Sequence, residues 1–210
     1  MKKLFALFCT LALLAALFAW VLGLGTGIIA AIRQNSLVDH LFMGVSLAGV
    51  SMPIFMVALL LQYLFAFKIK AFPLTLDGTF LSMILPAIAL GWNSAGSIAR
   101  MTRSSLLEVM GQDYIRTARA KGLTEFAVVT KHALRNALIP VITVLGPTVA
   151  GLLTGSFVVE KIFAIPGIGY YFVNSVTQRD YTTIMGVTIF FAAFLMAMVL
   201  LVDIFYCLID

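Results

Sequence analysis

The 210-residue chain is 62% hydrophobic and only 11% charged, with a mean hydropathy of +1.08 and a formal net charge of +5. That balance excludes a soluble globular domain, which needs far more polar surface to cover its core. It also excludes a membrane barrel, because the apolar residues come in continuous runs and not in alternation.

Five runs each supply the ~20 apolar residues that carry a helix across a bilayer. They lie at about 4–32, 41–67, 81–99, 137–159 and 182–208. The expected fold is an all-α integral membrane protein with about five transmembrane helices in a single domain, residues 1–210. The first run opens "MKKLF", where Lys2 and Lys3 read as a cytoplasmic start or a signal-type flank. It is longer than a signal segment and has no clear cleavage site. Cys9 in this run and Cys207 in the last are expected near opposite membrane faces. They are therefore read as small apolar residues and not as a disulfide. Between the first two runs stands His40. With His132 it makes the only two histidines, and neither has Cys or His neighbours, so no metal site is expected.

The run at 81–99 carries Asn93, Ser94 and Ser97 beside Gly91 and Gly96. Polar residues inside a span face protein or water. Two readings stay open here: these residues line a solute pathway, or small residues let neighbouring helices pack closely. Pro53, Pro86, Pro140 and Pro147 are candidate kinks.

The segment 100–136 breaks the apolar pattern. It holds Arg100, Arg103, Arg116, Arg119, Lys121, Lys131 and Arg135 against only Glu108, Asp113 and Glu125. Basic loops stay on the cytoplasmic side, which places 33–40 and the C-terminus there too and turns 68–80 and 160–181 outward. Five spans then put the N-terminus outside, in conflict with Lys2 and Lys3. Within the segment, a first short helix is expected over Asp113–Lys121, stopped by Gly122 in a left-handed conformation. Thr124 is the expected N-cap of a second, with Glu125 suiting its positive end and Phe126, Val129 and Ala133 sharing one face. Ile115, Ala118, Leu123 and Phe126 suffice to seat a short amphipathic helix in a partner's groove. Contact of the basic residues with anionic lipid is the equal alternative.

The stretches "DYIRTARAKGL" and "KHALRNALIPV" resemble the cytoplasmic loop of permease subunits from binding-protein-dependent ABC importers. The generic loop reads Glu-Ala-Ala, three residues, Gly, nine residues, Ile, one residue, Leu-Pro. Aligned on Gly122, the chain has Arg116-Thr117-Ala118, then His132 and Leu134-Arg135. Those departures are the form used by the peptide and nickel branch. "GIIAAIRQNSLVDHLFMG", "SIARMTRSSLLEV", "GSFVVEKIFAIPGIGYYFVNSVTQRDY" and "VDIFYCLID" extend the similarity to the oligopeptide importer's B-type permease.

The resemblance implies a subunit that moves peptides across the inner membrane of a bacterium. Dipeptides, glutathione-like molecules and nickel chelates are alternative cargoes. The chain has no G-x-x-x-x-G-K-[ST] of its own, so it is expected to hold no cofactor and to be no enzyme. ATP and Mg would be bound by two partner ATPase subunits. Arg116, Thr117, Ala118, Ala120, Lys121, Gly122, Leu123, Glu125 and Phe126 would form the coupling helix docked on one of them. A second homologous permease and an extracytoplasmic substrate-binding protein complete the implied partners, with the lipid membrane and no nucleic acid. Family members begin with a further helix and an extracytoplasmic segment, so the chain reads as a six-helix subunit lacking its first helix. That also resolves the conflict at Lys2 and Lys3.

Two other classes fit poorly. A channel or secondary transporter needs ionisable residues at mid-membrane depth, which the spans almost entirely lack. An intramembrane hydrolase built on Ser156 would need a histidine on the same side, and neither histidine is there.

Overall fold

The computed structural model describes residues 2–154, 156–165 and 167–209. Met1, Asp210 and the side chain of Cys207, which carried the expectations about chain ends and a disulfide, lie outside the described residues, and so do Gly155 and Pro166. The architecture is all-α. Helix α1 is Lys2–Ile32, α2 Leu37–Ser51, and α3 Ile54–Leu61, which runs on as a π-helical stretch, Gln62–Lys68. Next come α4, Phe80–Met110, α5, Asp113–Ala120, and α6, Glu125–Ala127. A second π-helical stretch, Val128–Ala133, leads into α7, Leu134–Thr154. The chain closes with α8, Phe157–Ile162, α9, Ile168–Gln178, and α10, Tyr181–Ile209. Among the described residues, four helical segments are long and apolar enough to cross a membrane, and five if the pair around Pro53 counts as one span.

Three elements differ from the reading of the sequence. The run 41–67 is two helices and not one, because Pro53 takes an extended conformation (φ −58°, ψ 139°) and cannot continue α2. Residues 100–110, expected in the basic loop, are the last three turns of α4, and no helix breaker intervenes before Gly111. The helix expected over 137–159 ends at Thr154, and the extended Ser156 separates it from α8.

The chain divides into two compact units. Unit 1 comprises 1–18, 52–93 and 146–210. Its core joins Leu11, Ala15, Leu85 and Leu90 to Leu152, Val159, Phe163 and Ile165. The two segments expected to face outward meet here. The Leu76 N–H donates to the Phe163 carbonyl at 3.0 Å, and Gln62 Nε2 donates to the carbonyls of Leu74 and Ile162. Glu160 is buried, and its carboxylate accepts from the Gly169 N–H at 2.7 Å. At Gly169 the backbone passes so close to Phe157 Cα that an added Cβ would sit 2.5 Å from it. Asp180 caps α10 by accepting from the Thr183 hydroxyl and N–H, which hold its carboxyl below the usual aspartate range. Thr79 does the same for Asp77.

Unit 2 comprises 19–51 and 94–145. In it α1 presents Ala19, Gly23, Gly27 and Ala31 at four-residue intervals, all buried. This small-residue ridge lets α4 come within backbone contact. A Cβ at Gly27 would lie 2.6 Å from the Ala99 carbonyl, and one at Gly23 2.9 Å from that of Ala95. Gly96 does the same for α2, where a Cβ would meet the Ser46 carbonyl at 2.6 Å. Polar ties finish the unit. Ser105 Oγ donates to the Ala137 carbonyl at 2.8 Å in the interior, linking α4 to α7. Asp39 is only 2% exposed and accepts two bonds from Arg103, at 2.6 and 2.7 Å, and a third from the Asn35 N–H at 2.9 Å. Asn35 itself sits at φ 60°, turning the chain between α1 and α2.

Candidate functional site

The segment from Asp113 to Ala127 is the part of unit 2 in which local chemistry and exposure coincide. Helix α5 follows Gln112, whose backbone is extended, and carries Asp113 in its positive first turn. Ile115 and Ala118, three residues apart, face inward and pack with Leu106, Val128, Ala133 and Ala137. Charged and polar residues take the other face. Thr117 Oγ1 donates to the Asp113 carbonyl at 3.0 Å, and Arg116 pairs loosely with Asp113 at 3.4 Å. Ala120 and Lys121 are exposed.

Gly122 ends the helix with φ +79°, and its N–H donates to the Arg119 carbonyl at 2.9 Å. A left-handed residue with no Cβ is what this turn needs. Thr124 is extended and caps α6, its hydroxyl oxygen accepting from the Ala127 N–H at 3.4 Å. Across the turn, Arg119 grips Glu125 with two bonds, Nε to Oε2 at 3.1 Å and Nη2 to Oε1 at 2.6 Å. At the other end, Asn136 Nδ2 donates to the Tyr114 hydroxyl at 2.8 Å and ties α5 to α7.

Of the nine residues expected to form the coupling helix, only Ala118 is buried; Arg116, Thr117, Ala120, Lys121, Gly122, Leu123, Glu125 and Phe126 are exposed. One grouping needs correction. Phe126 does not share a face with Val129 and Ala133. It is 79% exposed, while Val128, Val129 and Ala133 are buried. The reason is the π-helical stretch that begins at Val128: its wider turn shifts the phase of the inward face. The apolar set therefore splits. Ile115 and Ala118 are spent on the unit's own core, and Leu123 and Phe126 project from the turn.

Arg119, Tyr114 and Asn136 were not singled out from the sequence. The signal for Arg119 was present: opposite charges flank a left-handed glycine, six residues apart. The polar residues of α4 separate by role. Gly91 and Gly96 make close backbone approaches, Asn93 is exposed, and Ser94 and Ser97 are half-buried.

Known proteins resemble this chain over most of its length. The family described as binding-protein-dependent transport system inner membrane component matches residues 23–210. The dipeptide transport system permease protein DppB of Bacillus subtilis (strain 168) is 52% identical over 200 residues, covering 95% of this chain and 65% of the relative. The oligopeptide transport system permease protein OppB of Haemophilus influenzae is 43% identical over 202 residues, covering 95% of this chain and 66% of its own length. The chain thus spans about two thirds of the length of these relatives. Among solved structures, a chain of the MetNI methionine ABC transporter superposes with a TM-score of 0.70 at 19% identity, covering 97% of this chain and 94% of that one. With nine tenths of its length matched, the chain belongs to the family of binding-protein-dependent transport system inner membrane components.

Proposed function

We propose that this chain is the peptide-translocating permease subunit of an ATP-driven importer, and that residues 113–127 are where an ATPase subunit engages it. Support for the cargo comes from the dipeptide and oligopeptide permeases among its relatives. Support for the engagement comes from one geometric observation. The turn at Gly122, braced by Arg119 and Glu125, projects Leu123 and Phe126 while α5 stays anchored through Ile115 and Ala118. An apolar pair on a braced, polar-rimmed turn fits a groove on a protein partner. A lipid-contacting loop would rely on free basic residues, whereas here Arg119 is held by Glu125 and Arg116 pairs with Asp113.

In this reading the segment lies in the cytoplasm. Two ATPase subunits hold ATP and Mg, and a second homologous permease completes the pathway. The outer segments 68–80 and 160–181 receive a substrate-binding protein. Closure of the ATPases on ATP pulls the turn. The pull reaches the membrane helices through the Ile115–Ala118 core and the Tyr114–Asn136 bond. That is a two-state element biased by ligand, as coupling requires. This chain supplies the path and the contact, and its partners supply the hydrolysis.

The test is reconstitution. Full-length permease subunits, ATPases and binding protein in proteoliposomes should take up a labelled dipeptide only with ATP and Mg present. Uptake that persists without ATP identifies a channel or secondary transporter and rejects the proposal.

A further inference from the structure

The outward face of α4 is unlike that of the other long helices. Helix α1 exposes Leu13, Leu17 and Val21, and α10 exposes Ile189, Phe190 and Leu200, as suits lipid tails. Over the unit-2 part of α4, Ser97, Arg100, Ser104 and Glu108 form a polar row flanked by Met101 and Leu107; Ser104 and Glu108 are exposed, and Ser97 and Arg100 half-buried. Their spacing of three, four and four keeps them on one face. This stripe runs for about 16 Å at 1.5 Å per residue. The polar layer on one side of a bilayer is only about 5–7 Å thick. At 31 residues α4 is ~46 Å long, longer than the ~30 Å hydrocarbon core, so its stripe-bearing end reaches the boundary of the core, where polar side chains meet water, headgroups or a polar partner.

Arg100 is the exceptional member. The neighbouring arginine of the same helix, Arg103, is saturated by Asp39. Arg100 makes no ion pair or hydrogen bond among the described residues, and its Nε is buried without an acceptor. Ser97, one turn earlier on the same face, likewise makes no hydrogen bond among the described residues. Two neighbouring donor groups, one of them cationic, therefore have no acceptor among the described residues. A guanidinium nitrogen buried without an acceptor is costly, so the position calls for an anion. Its planar fork matches a carboxylate with two parallel bonds.

We infer that Arg100, assisted by Ser97, binds the terminal carboxylate of the peptide as it crosses; this rests on the proposed function above. Every linear peptide carries one such carboxylate whatever its sequence. A single cation on a wet helix face thus recognises the class without selecting side chains, and water access keeps the bond reversible.

The experiment uses the complete importer in proteoliposomes, at saturating liganded binding protein, with Arg100→Gln and Arg100→Lys at matched abundance. Each variant's uptake is divided by wild-type uptake of the same peptide, so the binding protein's own preference cancels. Arg100→Gln should lower uptake of a free-acid peptide about tenfold or more, leave the C-terminally amidated peptide at its wild-type rate, and be partly rescued by Arg100→Lys. Equal losses for both peptides would assign Arg100 to a carboxylate of a partner subunit and overturn the inference. So would no loss for either peptide. A loss seen only in vesicles containing phosphatidylglycerol, and absent in pure phosphatidylcholine, would assign it to a lipid headgroup. Wild-type liposomes that take up no peptide with ATP would instead sink the importer reading, a result separable from all of these.

Discussion

Unit 2 contains two ion pairs of nearly the same geometry and very different surroundings. Arg103–Asp39 and Arg119–Glu125 are both two-pronged, and each has a shortest contact of 2.6 Å. Asp39's side chain is 3% exposed and Arg103's 26%, whereas Glu125 and Arg119 stand at 56% and 38%. Distance therefore says nothing about which pair matters to the fold. Burial does, because removing one partner from water-free surroundings strands the other charge, while water screens an exposed pair. The glycines make the same contrast. Gly27 is glycine because a carbonyl occupies the space of its Cβ. Gly122 has open space around it and is glycine because its backbone is left-handed. The interior of the unit is specified by packing and its turn by conformation.

The largest test breaks the buried pair. Asp39→Ala should cost about 3 kcal/mol, the lower end of what stranding a buried charge costs, since Arg103 keeps some access to water. The Asn35 N–H loses its acceptor as well. A thermal-shift or protease-resistance assay of the purified protein in detergent would register it. A shift no greater than that of Arg119→Ala would refute the contrast.

Next comes the seam. Gly27→Val must displace the Ala99 backbone and should cost about 1–3 kcal/mol, since overpacking against main chain has little room to relax. Gly25→Ala, where a Cβ meets nothing within 4 Å, should be neutral or slightly stabilising in the same assay. If the two behave alike, the helices are not held at backbone contact.

The turn should respond differently. Gly122→Val strains the left-handed backbone by roughly 1 kcal/mol, leaves the spans intact, and should reach the membrane at normal abundance. Peptide uptake and co-purification of the ATPase should nevertheless fall sharply. Lys121→Gln should leave both nearly unchanged. The opposite ranking would mean that the segment acts through charge on anionic lipid, where each basic residue contributes about 1 kcal/mol.

The smallest effect belongs to the exposed pair. Arg119→Ala or Glu125→Ala should change stability by no more than about 0.2–1 kcal/mol, and less at high salt. Any loss of ATPase co-purification should be restored by the exchange Arg119→Glu with Glu125→Arg. Failure of the exchange to restore it would show that one of the two side chains touches the partner directly.

The sequence by itself determined the solvent and the local turns. Apolar runs of span length, the basic excess over 100–136, the stop at Gly122 and the cap at Thr124 each depend on residues within a few positions of one another. The break at Pro53 was visible as a kink but not as the end of a helix, because a proline removes one donor whether the chain bends or stops. Residues 100–110 read as loop from their charge, yet they continue α4, since Leu106 and Ser105 face the interior of unit 2 and Arg103 pairs there with the buried Asp39. Only the tertiary structure decided that Arg103 would meet Asp39, 64 positions away, and that Ser105 would find the Ala137 carbonyl. It also decided that Ile115 and Ala118 would turn inward while Phe126 turned out. Those outcomes rest on which helix faces pack together. A one-dimensional pattern records how apolar each face is, but not which neighbour it buries against.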